Sequence, residues 1–313
     1  MKFAVIGAGA VGGFYGALLS RAGHDVSFVA RGAHRDAMLA NGLRILSAPE
    51  AVGELVVHCP VHSDPAEIGI VDVVILAVKT YANAETFPQL RPLFGPHTSI
   101  LTLQNGVDSA EELAAVVGPD AVIGGATYIA GGIEAPGVIR HNGTHRRIVF
   151  GEYFNPSTEL SARVAALAPI FSAADIQTEA VADIRPRLWE KFIYLAPMAA
   201  FTGAARLPIG PIWGDEFIRE MFLAAVDEVE RVARASGIGV PPGVRDRITE
   251  YTANVPKTMR SSLLIDLSQG KKIEVEALQG SVVRRGLAAG VPTPIMSALY
   301  AVLKPHANGA MGQ

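Results

Sequence analysis

The chain is poor in cysteine and in charge. One cysteine, Cys59, among 313 residues excludes an internal disulfide framework and a cysteine-based zinc site. With that usage, a reducing cytoplasmic setting is the expectation. Only 18% of residues are charged, and 27 Lys and Arg stand against 30 Asp and Glu. A formal charge of −3 argues against the broadly basic surface that a nucleic-acid binder needs, so no nucleic-acid partner is expected. Hydrophobic residues make up 50% of the chain, which excludes a disordered polymer. Long apolar runs are also missing. Phe3–Ser20 is uncharged but contains Gly7, Gly9, Gly12, Gly13 and Gly16, too many for the compact apolar centre of a leader. Phe192–Ala205 is uncharged over 14 residues, short of the roughly 20 that span a bilayer. No membrane association is expected.

The first uncharged run has an internal order. Lys2–Ile6 reads as a buried strand, Gly7-Ala8-Gly9-Ala10-Val11-Gly12 follows, and Val11, Phe14 and Leu18 open a helix. A strand, then GxGxxG, then a helix is the context of a dinucleotide-binding turn. Gly7 permits the tight turn, Gly9 leaves room for a pyrophosphate, and Gly12 lets the helix approach the sheet. The helix amino terminus offers free N–H groups to phosphate. A second strand, Asp25–Ala30, ends in Arg31, where an acidic residue would hold the ribose hydroxyls of NAD. A cation there, with Arg35 nearby, suits the 2′-phosphate of NADP.

Val71–Val78 and Thr98–Leu103 read as further parallel strands, placing Lys79 and Asn105 at carboxyl ends that line a cofactor crevice. Ser47–His62 reads as loop plus a short edge strand. Ala121–Ala130, Val138–His141 and Arg147–Glu152 read as later, antiparallel strands. Strand signals largely stop after Ile176–Thr178, and the change of texture near residue 180 marks the boundary. Asp183 is placed to cap a mostly apolar helix from Ile184 to about Phe201, which Pro197 should kink. Asp215–Ala235 is amphipathic, with Phe217, Met221, Ala225, Val229 and Val232 on one face. Val244–Asn254, Ser262–Gln269, Ile273–Ala289 and Pro294–Leu303 complete a helical second half, with Gly270 and Gly290 as terminators.

Lys191 lies on the apolar helix. It either snorkels to the surface or sits in a polar cleft, where its ammonium could protonate a carbonyl oxygen as hydride arrives at carbon. Glu274 and Glu276 are candidate partners. The histidines form no ligand set. His58, Cys59 and His62 cluster without a carboxylate to complete a site, His141 and His145 straddle a turn-like segment, and His24 reads as a turn residue. No metal site is expected.

The residues together resemble the ketopantoate reductases (2-dehydropantoate 2-reductases) over nearly the whole length. The resemblance rests on GAGAVG at Gly7–Gly12, VAR at Val29–Arg31, VKTY at Val78–Tyr81 and LQNG at Leu103–Gly106. It continues in Trp189-Glu190-Lys191, in Ser261-Ser262, and in Lys272-Ile273-Glu274, whose Glu274 lies twelve residues after Ser262. It implies an α/β Rossmann-type domain over residues 1–182. An all-α carboxyl-terminal domain, like that of 6-phosphogluconate dehydrogenase, would follow over 183–313. It also implies NADPH-dependent reduction of a small 2-oxo acid, ketopantoate to pantoate, in pantothenate biosynthesis. By the same resemblance Gly7–Gly12 hold the pyrophosphate, Arg31 and Lys79 favour the 2′-phosphate end, and Asn105 lies beside the nicotinamide ribose. Lys191 is then the catalytic general acid, Glu274 positions it and a substrate hydroxyl, and Ser262 contacts the substrate carboxylate. A homodimer is a reasonable expectation for a domain of long helices.

The sequence departs from the family at three positions. Asparagines one and two turns after the lysine are replaced by Leu195 and Ala199, and a third by Ile209. A substrate polar group left unpaired there would cost about 1–3 kcal/mol. The alternatives are therefore a relative acting on a less polar ketone, keto-lactone or imine, and, from another class, a non-catalytic NADP-sensing protein. Retention of Lys191, Ser262 and Glu274 argues against the sensor.

Overall fold

The computed structural model describes residues 1–310. Two compact units are present among the described residues, 1–104 with 109–184, and 105–108 with the residues from 185 onward. In the first, the elements are β1 (Lys2–Ile6), α1 (Ala10–Arg21), β2 (Asp25–Val29), α2 (Gly32–Asn41), β3 (Leu43–Leu46), β4 (Glu54–Val57) and β5 (Val61–His62). They continue as β6 (Val73–Leu76), α3 (Asn83–Thr86), β7 (Ser99–Thr102), α4 (Ser109–Val117), β8 (Val122–Ala135), β9 (Val138–Glu152), α5 (Ala162–Ala173) and β10 (Gln177–Asp183).

These strands form one sheet, whose parallel part runs β5-β2-β1-β6-β7-β8. β1 lies centrally because its residues are apolar on both faces, and Phe3, Ala4, Val5 and Ile6 are buried. The chain winds outward from β1 through β2 to β5, and in the other direction from β6 through β7 to β8. The carboxyl ends of β1 and β6 therefore form the topological switch point. The uncharged run Phe3–Ser20 is accounted for by β1, its loop and α1, in which every residue from Gly12 to Leu19 is buried.

Beyond β8 the sheet changes character. The expected strands Val138–His141 and Arg147–Glu152 are one strand, β9, paired antiparallel with β8. The register jumps between Ile129↔Arg146 and Ala130↔Asn142, so Gly143, Thr144 and His145 bulge from the ladder. The segment reads as a turn because it is a bulge: Gly143 has φ +75°. Buried His141 closes it, with Nε2 2.9 Å from the His145 carbonyl and Nδ1 2.8 Å from Ser47 Oγ. β3, not expected, pairs parallel with β9 and antiparallel with β4.

The second unit is helical: α6 (Arg185–Ala205), α7 (Ile209–Gly214), α8 (Glu216–Ala235), α9 (Val244–Asn254), α10 (Ser262–Ser268), α11 (Ser281–Ala288) and α12 (Pro294–Leu303). Three expectations need correction. Asp183 is the last residue of β10, and α6 begins at Arg185. The helix expected from Ile273 starts only at Glu276, with a π-helical turn over Glu276–Gly280 ahead of α11, so Glu274 precedes it. Phe217 is 73% exposed, and the packed face of α8 is instead Phe222, Ala225, Val226, Val229 and Val232. Glu228, also on α8, is buried, and its carboxylate accepts the Ile295 and Met296 N–H groups at 2.9 Å each, capping α12 from another helix.

No helix among the described residues is long and apolar enough to cross a membrane. Phe192–Ala205 is apolar because most of that stretch of α6 is core.

Candidate active site

The glycine-rich loop leaves β1 with Gly7 at φ +97°, where a Cβ would lie 2.7 Å from the Val78 backbone nitrogen. The loop thus rests on the end of β6. At Gly12 a Cβ would collide with the Gly7 carbonyl oxygen and approach Ala77 and Val5 at 2.9 Å. Gly9 differs, since a Cβ there would meet nothing within 4 Å. It is the N-cap of α1 and, as glycine, supplies no side-chain cap to the first N–H groups of the helix. An uncapped helix terminus beside a residue with room above it fits a dinucleotide pyrophosphate.

His34 on α2, absent from the sequence expectations, fixes this loop. Gly137 N–H donates to Nδ1 at 3.1 Å, so the ring proton sits on Nε2, which donates to the Ala8 carbonyl at 2.8 Å. In the trans Ala8–Gly9 peptide the Gly9 N–H then points the opposite way.

Arg31 follows β2 and is the N-cap residue of α2. Its guanidinium pairs with Glu85 at 2.6 Å, both side chains being more than half exposed. Lys79, partly buried, follows β6. Next to it, Gln104 is buried. Its amide nitrogen donates to the Val78 carbonyl at 2.8 Å and to Asn83 Oδ1 at 2.6 Å, and Asn83 in turn donates to Glu112 at 2.8 Å.

In the second unit, Lys191 on α6 donates from Nζ to Asn105 Oδ1 at 2.9 Å. Eighty-six positions separate them in sequence, and they meet because the segment Asn105–Asp108 belongs to this unit. Gly106 takes φ +97° there, and a Cβ on it would lie 2.9 Å from the Ala277 carbonyl in the π-helical turn. Lys191 is half-buried. Desolvation pulls its pKa down to about 8, against the opposing charge of Glu274. Glu274 is itself buried.

The two candidate glutamates separate clearly. Exposed Glu276 accepts from Tyr300 and Arg284 at 2.9 Å and lies 3.5 Å from Lys304 Nζ. Partial burial pushes its carboxyl pKa up, but these partners outweigh that and hold it below the ordinary range.

Ser262 is exposed in the first turn of α10. Its neighbour Ser261 is buried, accepts the Leu264 N–H at 3.1 Å and lies 2.7 Å from Thr202 Oγ1. Of the serine pair, Ser261 is thus the helix cap and Ser262 the exposed hydroxyl. Ala199 and Ile209 are buried and Leu195 is partly buried. Among the described residues, no group of three or more His, Cys, Asp or Glu could hold a metal ion. Cys59 donates to Ser20 Oγ at 3.1 Å, and His62 lies 3.0 Å from Glu67.

Comparison with known sequences agrees in both halves. The pattern of Ketopantoate reductase PanE/ApbA matches residues 3–155, and that of Ketopantoate reductase PanE/ApbA C terminal matches residues 183–307. The chain belongs to the ketopantoate reductase family. It is an oxidoreductase, which sets the non-catalytic sensor aside. It is 34% identical to a 2-dehydropantoate 2-reductase of Mesorhizobium japonicum, over 97% of both chains. It is 29% identical to the uncharacterized oxidoreductase YkpB of Bacillus subtilis, over 98% of this chain and 99% of that one. The solved 2-dehydropantoate 2-reductase from Geobacter metallireducens superposes with TM-score 0.90 at 30% identity, over 97% of this chain and 99% of that one. A D-mandelate dehydrogenase solved with NADH and anilino(oxo)acetate shares the fold, with TM-score 0.87 at 20% identity over 98% of each chain.

Each unit also holds buried or partly buried polar residues that the motifs did not flag. His34 and Gln104 act on backbone carbonyls beside the glycine loop. Gln279, fully buried, donates to the Ala196 carbonyl of α6 at 2.9 Å. Only Gln104 carried a sequence signal, as the residue beside Asn105 in LQNG.

Proposed function

We propose that the protein is an NADPH-dependent reductase that converts a 2-oxo acid to its 2-hydroxy acid, with ketopantoate as the leading substrate. The observation that carries this reading is the Lys191 ammonium, half-buried, bonded to Asn105 and shifted to about 8 by its surroundings. An amine with that pKa is largely protonated at neutral pH and gives up its proton far more readily than an ordinary lysine.

The cofactor would be held by the loop from Gly7 to Gly12 and the N–H groups at the start of α1. Arg31, with Lys79, would hold the 2′-phosphate. The Arg31–Glu85 pair is exposed and therefore weak, so a phosphate can compete for the guanidinium. NADPH, when bound there, would supply the hydride. Lys191 would give its Nζ proton to the carbonyl oxygen that becomes the hydroxyl. Asn105 would hold the amine in place by accepting one of its hydrogens. Glu274 would keep the amine charged until transfer, and Ser262 would receive the substrate carboxylate. The proposed setting is the cytoplasm. The proposed assembly is a homodimer, supported by the exposed apolar Phe217 and Leu287 and tested by sedimentation.

A substrate screen tests the reading. NADPH oxidation is followed with ketopantoate beside less polar 2-oxo acids, because Leu195 and Ala199 leave α6 apolar after Lys191. Turnover of ketopantoate at the highest kcat/KM is expected. Consumption of a less polar compound in its place would move the substrate assignment, and no turnover of any 2-oxo acid would defeat the reading.

A further inference from the structure

Arg285 on α11 makes two contacts that converge on the Lys191–Asn105 pair. Its Nε donates to Asp108 Oδ1 at 2.7 Å, and its guanidinium carbon lies 5.8 Å from the centre of the Trp189 ring. Asp108 ends the short segment that begins with Asn105, and Trp189 precedes Lys191 by two residues on α6. Residues two apart on a helix look out roughly 200° from each other. Arg285 therefore grips one side of α6, while the segment it anchors presents Asn105 to Lys191. Trp189 is buried, and the Asp108 and Arg285 side chains are only 20% and 23% exposed, so the contacts are shielded from water and salt. Arg284, next in the chain, is spent on Glu276 at 2.9 Å and reaches Asp108 only at 3.7 Å.

We propose that Arg285 is a positioning residue for the reaction, holding α6 and the Asn105 segment in register so that Asn105 meets the Lys191 ammonium. The proposal rests on Lys191 being the proton donor. It assigns a function to a guanidinium that a lysine fulfils poorly, since lysine can pair with Asp108 but has no delocalised cation to set against the Trp189 ring at the same time.

The test uses the full-length protein and the variants Arg285→Leu, Asp108→Asn, their double, and Arg285→Lys, with Arg284→Ala as control. Four quantities are measured: kcat, the pH above which turnover falls, NADPH affinity by fluorescence titration, and Tm. Misplacement by about 1 Å can cost on the order of a hundredfold in rate, so Arg285→Leu and Asp108→Asn should each lower kcat by roughly ten- to a hundredfold. The double variant should be no worse than the poorer single one, because both break one link. The alkaline fall should move to lower pH as the ammonium loses its acceptor, with NADPH affinity held. Arg285→Lys should recover part of kcat, and Arg284→Ala should retain it. Asp108→Asn keeps the shape of the side chain and covers the case in which Arg285→Leu does not fold. Unchanged kcat, additive losses, or losses that follow Tm with the pH profile unmoved would overturn the proposal. Lys191→Met, assayed alongside, separates the two claims. If it turns over normally, the proton-donor reading has failed whatever Arg285 does.

Discussion

The glycine loop and the Lys191 cluster solve opposite problems. The loop presents backbone, and side chains are excluded from it: at Gly12 a Cβ would strike the Gly7 carbonyl, whereas at Gly9 the space stays open. The Lys191 cluster presents side chains, a half-buried ammonium against an amide and a buried carboxylate. The first site is defined by what is missing within six consecutive residues, the second by what three distant segments bring together. A change in the loop should therefore act on cofactor affinity, and a change in the cluster on the chemical step.

The sharpest break in that division is Lys191→Met, which should lower kcat by about a hundred- to ten-thousandfold, the usual worth of a positioned acid, with NADPH affinity nearly unchanged. Gly9→Ala should do the reverse. Its methyl enters open space, so Tm should hold while NADPH affinity drops roughly tenfold or more, as a protruding group keeps the pyrophosphate from the helix N–H groups. Gly12→Ala, by contrast, must displace backbone and should cost about 1–3 kcal/mol of stability in a denaturation curve. Arg31→Ala should cut the preference for NADPH over NADH about tenfold, the scale of one charge-assisted contact. Equal affinities of the parent protein for the two cofactors would remove Arg31 from the 2′-phosphate. Glu274→Gln should move the alkaline fall of kcat to lower pH by roughly one unit, because the carboxylate charge opposes the desolvation that lowers Lys191.

The same contrast decides what could be read from sequence. Gly7, Gly9 and Gly12 were legible because the constraint is local: a strand, a turn and a helix within twenty residues. The places of Arg31 and Lys79 just after strands were legible because the apolar runs before them end there. The pairing of Lys191 with Asn105 was not visible in residue spacing, since it depends on residues 105–108 joining the helical unit. His34 carried no signal, because its partners are a loop carbonyl and a hairpin N–H, neither of which depends on side-chain identity. The strands of β9 looked like two because three bulged residues interrupt its alternation. Glu276 looked as suitable as Glu274 until Arg284, Tyr300 and Lys304 were seen to hold it elsewhere.

The central claim is that Lys191 donates the proton. The most direct measurement is kcat for ketopantoate reduction as a function of pH, in the parent protein and in Lys191→Met. The account predicts a parent rate that falls as pH rises through about 8, where the ammonium is lost, and a variant with little activity at any pH. A variant with parent-like turnover and the same alkaline fall would contradict it.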